Sequence, residues 1–301
     1  MREGDGKGLA PVDLATLIYI GVATAAVIIF TGGDRTATIS FMGAHLLAVG
    51  LVLLAPQARA AGPVGSFVGE WYPMVLLGAL YAEVGVLNFD VGFHHDLAIQ
   101  RLEQWVFGSQ VSYRWIREMP TPALSILLHS CYLAYYAILL ASPLGLWVTG
   151  RRDAARFTIF AVAATFYLCY MVFLFFPVAG PRYAFILADN PATRVWPARV
   201  AQWVLDQGDS WGAAFPSSHV AGAVVATVCA LRFWRPFGVA LVLPTLGMVF
   251  AVVYGQFHYA VDALAGLVVA AAVMTSLSPG AARVGAAALQ PAAEPAADAG
   301  A

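Results

Sequence analysis

The chain has 301 residues, of which 60% are hydrophobic and only 11% are charged, a balance that excludes an ordinary soluble domain, where about a quarter of the residues are charged. The formal net charge of −1 at pH 7 leaves no basic excess, so we expect no nucleic-acid partner. Three cysteines lie in apolar stretches without ligand spacing, so neither a disulfide framework nor a zinc site is expected.

Eight apolar windows of the sequence approach the length of about 20 residues that a membrane-spanning helix needs. They cover residues 14–31, 37–55, 67–87, 123–148, 157–178, 216–231, 239–257 and 258–277. Together they predict an all-α integral membrane protein with about eight transmembrane helices.

The distribution of arginine predicts the orientation, because cytoplasmic loops hold an excess of basic residues. The two tightest basic clusters lie at residues 151–156 and 232–235, and eight crossings place both on one side. We therefore expect this side, and both termini, to be cytoplasmic. The segments 88–122 and 179–215 then lie outside the cytoplasm.

The remaining segments follow from composition and spacing. Residues 96–107 alternate apolar and charged positions with helical spacing, which predicts an amphipathic helix at the membrane surface. After about residue 278 the chain is rich in Ala, Pro and Gly, which predicts a disordered cytoplasmic tail at 278–301. The chain thus divides into N-terminal helices with an outer segment (1–122), a helical core (123–277) and this tail.

The first candidate motif is the sequence AFPSSHV at residues 214–220, directly before an apolar run. Proline followed by hydroxyl residues opens a helix, whose free N–H groups and dipole favour a phosphate group. Ser217 and Ser218 would add hydroxyl donors, and His219 lies in the first turn. A plain capped helix with an incidental histidine would give the same residues.

The second motif is YGQFHYAVD at residues 254–262. His258 and Asp262 are four residues apart, so on a helix their side chains can meet. A carboxylate that holds one imidazole nitrogen leaves the other free as a base or nucleophile. The structural alternative is a His–Asp pair that pins two helices together, but ionisable groups in a membrane span are usually functional.

The third motif is FPVAGPRY at residues 176–183. Two prolines and a glycine end the preceding helix and place Arg182 at the same membrane face as His219 and His258. A guanidinium matches phosphate oxygens with paired hydrogen bonds, so we expect Arg182 to bind phosphate. Arg194 and Arg199 are weaker candidates for the same role, and solvated loop charges are the alternative.

Several other polar residues carry less weight. Adjacent histidines at positions 94 and 95 point in different directions on a helix, and no second cluster completes a metal site. His45 and His129 lie within apolar spans and are expected to be hydrogen-bonded core residues. Glu70 and Glu83 could pair with an arginine or line a polar cavity, and the sequence leaves both roles open.

The three motifs, in this order and at these helix ends, resemble the phosphate-binding signature of the type 2 phosphatidic acid phosphatase superfamily. The resemblance covers about residues 176–266 and is nearest to the branch that includes fungal inositol phosphorylceramide synthases. It implies that the last four helices form a phosphatase-like core bundle. It also implies that His258 attacks phosphorus, that Asp262 orients His258, and that His219 protonates the leaving group.

Two cations of the fuller family pattern are missing from this chain. There is no lysine after Lys7, and positions 251 and 252, where Ser-Arg would stand, are Ala and Val. The synthase-like branch also lacks that arginine. Phosphate binding is therefore expected to depend on Arg182, the start of the sixth apolar window with Ser217 and Ser218, and Gln256 as a neutral donor.

The resemblance implies a metal-independent phosphatase or phosphotransferase without a cofactor. We expect it in a plasma membrane, with the site on the extracytoplasmic side, and the Ala/Gly-rich composition suggests a bacterial source. The substrate would be a phospholipid or polyprenyl phosphate, with an alcohol as a further acceptor. An isoprenoid diphosphate phosphatase and a non-catalytic phospholipid-binding or transport protein are the alternatives.

Overall fold

The computed structural model describes residues 8–31, 34–91 and 94–288, and the chain there folds into α-helices joined by short connections. The helices are α1 (Pro11–Phe30), α2 (Arg35–Ala60), α3 (Gly62–Val91), α4 (Asp96–Phe107), α5 (Val111–Glu118), α6 (Pro122–Val148), α7 (Arg152–Phe175), α8 (Pro181–Ala184), α9 (Trp196–Gly208), α10 (Ser218–Phe233), α11 (Arg235–Tyr254), α12 (Ala260–Ser276) and α13 (Ser278–Ala288). An isolated parallel bridge joins Val178 to Ala213. The prediction of an all-α integral membrane protein is confirmed.

Among the described residues, six helices are long and apolar enough to cross a membrane: α1, α2, α3, α6, α7 and α11. α12 and α13 meet at a bend of 58° and together would make a seventh span. α10 is apolar but has only 16 residues, which is about 24 Å of helix against a hydrocarbon layer of about 30 Å. Each predicted window coincides with a helix, but length and composition support six or seven full spans among the described residues, so the count of eight is not confirmed.

The start of the predicted tail is helical. α13 runs through Ser278–Ala288, and Ala281 on this helix is fully buried. Alanine is the strongest helix former, so this alanine-rich segment can form a helix that packs back on the bundle. Residues 289–301 lie outside the described part of the chain.

Ion pairs join the N-terminal helices to one another and to the rest of the bundle. The Asp13 carboxylate in α1 accepts a hydrogen bond from Arg59 of α2 at 2.8 Å. Glu70 of α3 pairs with Arg156 of α7 at 2.7 Å. Of its two predicted roles, Glu70 thus takes that of pairing with an arginine. Buried carboxylates with such partners fix the order of the helices, because removing one partner leaves an uncompensated charge.

The buried histidines also have partners. The imidazole of His45 in α2 lies 2.7 Å from Thr24 of α1 and 2.7 Å from Glu83 of α3. His129 in α6 contacts the hydroxyl of Ser125 at 2.9 Å. Both histidines are thus hydrogen-bonded core residues, as the sequence predicts.

The first turn of α10 is recessed within the bundle. α7 and α10 run antiparallel, with the rings of Phe157 and Phe233 5.5 Å apart at one end and Gly222 against the ring of Phe166 midway. From the level of Phe166 and Gly222, α7 continues for nine residues to its end at Phe175. In the same direction α10 extends only four residues, to its start at Ser218. At 1.5 Å per residue, α10 begins about 7 Å short of the end of α7.

A close approach of two helices positions this turn. The backbone of α12 contacts the start of α10 at Gly266, where an added Cβ would lie 2.5 Å from the carbonyl oxygen of Ser217 and 3.1 Å from the Cβ of Val220. Only glycine fits between the two helices without displacing one of them.

We expect Gly266→Ala to lower the stability of the folded protein by about 1–3 kcal/mol, the usual cost of overpacking a core. Gly21→Ala is the matched control, because Gly21 is an exposed glycine of α1 with no atom near its missing Cβ. Thermal unfolding in detergent would measure both. Equal melting temperatures for the two variants would contradict the close packing of α10 and α12.

Candidate active site

A cleft lies at the recessed start of α10, between this helix, α3, α6, α9 and the connections that precede α8, α10 and α12. Its lining residues are Tyr81, Tyr132, Ala179, Arg182, Leu205, Asp209, Ser210, Ala213, Ala214, His219, Phe257 and His258. Three of the residues that the sequence singles out, Arg182, His219 and His258, therefore meet in one cleft although they come from three separate motifs.

His258 is buried and held by backbone groups on both sides. Its N–H donates to the carbonyl of Val252 at 2.9 Å, and its Nδ1 lies 2.8 Å from the carbonyl oxygen of Ala214. A carbonyl can only accept, so Nδ1 carries the proton and donates it to Ala214. Nε2 then keeps its lone pair and faces Nδ1 of His219 at 3.4 Å.

Burial lowers the pKa of His258 to about 4, and the hydrogen bond to Ala214 and the charge of Asp209 offset part of this effect. Desolvation disfavours the charged imidazolium, so the ring is neutral at pH 7. A neutral imidazole with a free Nε2 is the form that a nucleophile or a general base needs.

Asp262 has a second task besides contacting His258. Its Oδ2 accepts a hydrogen bond from the N–H of Tyr259 at 2.8 Å and thereby caps α12, which begins at Ala260. His258 consequently precedes the helix, although its spacing suggests that both residues share one helical face. Asp262 still lies 3.5 Å from Nδ1 of His258, beyond the 2.8 Å contact that Ala214 makes.

His219 is the second residue of α10 and is half-buried between aromatic rings. The centroid of its ring lies 4.6 Å from that of Tyr135 and 5.7 Å from that of Tyr132, both on α6. The ring of His258 stands edge-on at 5.5 Å. This packing fixes the plane of the His219 imidazole next to the ring of His258.

The structure places the predicted serines and glutamine beside the cleft and not on its wall. Ser217 caps α10, because its hydroxyl accepts from Val220 at 3.3 Å, and its N–H donates to the carbonyl of Asp262 at 3.0 Å. Ser218 is buried as the first residue of the helix. Gln256 is buried as well, and its side-chain oxygen accepts from the N–H of Ala188 at 3.0 Å.

Arg182 reaches the cleft from the short helix α8, and its guanidinium is already engaged with α9. It donates to the side chains of Gln202 and Asp206, and its Nε lies 4.0 Å from Oδ2 of Asp209. A phosphate that binds Arg182 must therefore share this cation with α9 or displace these partners.

The two weaker arginine candidates do not line the cleft. Arg194 forms an exposed ion pair with Asp189 at 3.0 Å, and Arg199 is exposed on α9. Exposed pairs of this kind contribute little to stability, so Arg194 fits the alternative of a solvated loop charge.

Sequence reasoning missed a buried carboxylate that shapes the cleft. Asp96, the first residue of α4, accepts hydrogen bonds from the N–H groups of Ala179 at 2.7 Å and Gly180 at 2.8 Å. It also accepts from the hydroxyl of Tyr259 at 2.8 Å. The sequence gives little indication of this role, because an acidic residue at a helix start usually interacts with the N–H groups of its own helix.

It also missed three residues on the cleft wall, Asp209, Tyr81 and Tyr132. Oδ1 of Asp209 accepts from the hydroxyl of Tyr81 at 3.2 Å, and Oδ2 accepts from that of Tyr183 at 3.1 Å. Burial raises the pKa of Asp209, while Tyr183 and Arg182 lower it. These residues come from distant parts of the chain and form no local pattern.

Comparison with known proteins agrees with this geometry. The family model described as the PAP2 superfamily matches residues 97–276, more than half of the chain, so the chain belongs to this superfamily. Membership supports a phosphatase-like function in general. Neither curated proteins nor solved structures give a match. Among the described residues, no group of three or more His, Cys, Asp or Glu side chains could hold a metal ion.

The lowered pKa of His258 predicts a pH dependence of stability. Between pH 4 and pH 6.5, the ordinary value of histidine, the unfolded chain binds a proton that the folded chain does not. The free energy of unfolding should therefore fall as the pH is lowered through this window. We expect His258→Gln to remove this contribution, measured by thermal unfolding in detergent from pH 4 to pH 7.

The comparison between wild type and variant reports the net effect of His258. The raised pKa of Asp209 acts in the opposite direction, because this group contributes stability that is lost as the pH rises through its folded pKa. Loss of the His258 charge raises the pKa of Asp209 further, which widens the difference between the two pH profiles. Parallel pH profiles for the two would contradict a buried, neutral His258.

Proposed function

We propose that this member of the PAP2 superfamily is a membrane phosphatase or phosphotransferase that acts on a lipid-linked phosphate ester through a phosphohistidine intermediate. The observation that carries the proposal is the pair of facing imidazoles, with Nε2 of His258 3.4 Å from Nδ1 of His219. The carbonyl of Ala214 sets the tautomer of the first ring, and Arg182 lies in the same cleft.

In the first step, Nε2 of His258 attacks phosphorus and forms the N–P bond while the P–O bond to the leaving group breaks. His219, in its imidazolium form, gives its proton to the departing alkoxide. An anionic phosphate next to His219 favours this charged form. Asp262 and the carbonyl of Ala214 hold the ring of His258 and stabilise the positive charge that develops on it.

In the second step, an acceptor attacks the phosphohistidine. His219, now neutral, takes the proton of the acceptor, the new P–O bond forms, and the N–P bond breaks. Water as the acceptor gives a phosphatase, and an alcohol gives a transferase. General acid–base catalysis of this kind contributes about 10²–10⁴-fold to the rate.

Substrate entry must separate the two imidazoles. In-line displacement places phosphorus between the nucleophile and the leaving oxygen, with each reacting contact about 3 Å long, whereas the two ring nitrogens lie 3.4 Å apart. His258 is held by its backbone contacts, so we expect the movement to fall mainly on His219 and on the contacts of Arg182 with α9.

We further propose that the cleft faces the extracytoplasmic side. Arg151 donates to the carbonyl of Phe233 at 3.0 Å, so the two basic clusters at residues 151–156 and 232–235 meet at one end of the bundle. His219 lies at the other end of α10. This arrangement supports the orientation that the basic clusters predict. The cation-poor sequence also favours the synthase-like branch and, with it, transfer to an alcohol.

The roles of the two histidines can be separated by the leaving group. We expect His258→Ala to abolish turnover of both alkyl and aryl phosphate esters, because the nucleophile is lost. His219→Ala should slow alkyl ester turnover by about 10²–10⁴-fold but aryl ester turnover much less, since a phenolate leaves without a proton. Release of phosphate and alcohol by purified protein in detergent would measure both.

His45→Gln is the control, because Gln keeps a donor and an acceptor toward Thr24 and Glu83, and this histidine is far from the cleft in sequence and outside its lining. Equal losses for both ester types in His219→Ala would refute the general-acid role. Tight lipid binding with no His258-dependent turnover would instead indicate a binding or transport protein.

A further inference from the structure

One wall of the cleft carries a carboxylate, which is unexpected where a phosphate must bind. The side chain of Asp209 is 18% exposed and lines the cleft together with His219 and His258. A negative charge here repels phosphate oxygens. The carboxylate is therefore suited to a part of the ligand other than the phosphate.

The same wall carries a hydroxyl group without a hydrogen bond of good geometry. Tyr132 is completely buried and lines the cleft, and among the described residues its hydroxyl makes no hydrogen bond of ordinary geometry, although the side chain of Tyr136 lies beside it. A buried polar group without a partner costs about 1–3 kcal/mol. The hydroxyl of Tyr81, which donates to Asp209 at 3.2 Å, completes a wall of oxygen atoms.

Charge distinguishes between the groups that could bind this wall. Both oxygens of Asp209 already accept hydrogen bonds, from the hydroxyls of Tyr81 and Tyr183. The guanidinium of Arg182, which also binds Asp206, lies 4.0 Å away, so a second cation such as an ammonium group gains less here than beside an unpartnered carboxylate. A neutral hydroxyl group suits both atoms, because it can donate to Asp209 and accept from Tyr132.

The charges also limit the phosphate itself. One arginine and one carboxylate line the cleft, and His258 is neutral at pH 7 because burial lowers its pKa to about 4. His219 adds one positive charge only in the imidazolium form that the first step uses. A cleft with so little positive charge suits a phosphodiester, which carries one negative charge, better than a monoester or a diphosphate, which carry more.

We propose that Asp209 and Tyr132, with Tyr81, form a subsite for the hydroxyl groups of a polyol that is esterified to a lipid phosphodiester or accepts the phosphoryl lipid. This inference rests on the proposed function. The leaving alcohol and the entering alcohol occupy the same position opposite His258 in the two steps, so one subsite serves both. The proton that leaves the entering hydroxyl goes to His219, and Asp209 only positions the polyol.

The test compares two phosphodiester lipids of equal charge, phosphatidylglycerol with its free hydroxyls and phosphatidylmethanol with none, in detergent micelles. We expect wild-type protein to prefer phosphatidylglycerol in kcat/KM by at least about tenfold, since a site built to bind hydroxyl groups rejects an analogue without them. Asp209→Asn and Tyr132→Phe should each reduce this ratio severalfold.

A second arm supplies phosphatidylmethanol as donor with free glycerol as acceptor. Formation of phosphatidylglycerol over phosphatidic acid would show that the polyol enters from solution, and we expect Asp209→Asn to shift the products toward phosphatidic acid. Asp206→Asn is the matched control, because Asp206 also binds Arg182 but lies outside the cleft lining. Its substrate ratio should equal that of wild type.

The outcomes are distinguishable. An unchanged ratio in both Asp209→Asn and Tyr132→Phe, with His258-dependent turnover intact, would overturn the polyol subsite alone. A preference for phosphatidylethanolamine that Asp209→Asn abolishes would replace it with an ammonium subsite. Absence of His258-dependent turnover of every lipid would overturn the proposed function and this inference together. Tyr132→Phe keeps the test decisive if Asp209→Asn fails to fold.

Discussion

The carboxylate of Asp96 accepts hydrogen bonds from the N–H groups of Ala179 and Gly180 and from the hydroxyl of Tyr259, and the geometry of the cleft depends on these contacts. They tie the loop that presents Arg182 to the start of α12, next to His258. Glu103, seven positions further along the same helix α4, accepts from the first N–H of α12 at 3.2 Å. A surface helix outside the apolar core thus holds two parts of the site in register, and loss of the Asp96 carboxylate would leave two backbone donors unsatisfied.

Backbone contacts set the relation between the two histidines. The N–H of Ser217 donates to the carbonyl of Asp262, and the carbonyl of Ala214 holds the ring of His258. Each segment that leads into one helix is therefore bonded to the segment that leads into the other, and Gly266 permits the contact. Such a frame holds the ring of His258 through backbone groups, and this kind of pre-organisation suits the nucleophile that we propose His258 to be.

The sequence alone predicts the helical class, the positions of the apolar helices, the amphipathic helix α4 and the meeting of Arg182, His219 and His258, because apolar length and motif spacing are local properties. It does not predict that Ser217 and Asp262 act as helix caps, since capping and ligand binding use the same atoms. It also misses Asp209 and Tyr132, which lie 77 positions apart in the numbering and meet only through the packing of α6 against α9. Long-range contacts of this kind leave no local signature.

The shortness of α10 has a consequence for the surrounding lipid. Its first turn lies about 7 Å below the end of α7, so if α7 ends at the surface of the hydrocarbon layer, the cleft opens at a depth where the leaflet holds acyl chains and not phosphate groups. A lipid headgroup can reach His258 only if the leaflet thins locally or the lipid sinks toward the bundle, and either change costs elastic energy that grows with bilayer thickness. Under the proposed function, turnover would thereby depend on the mechanics of the membrane, so that acyl-chain length would act on catalysis without any contact to the reacting atoms.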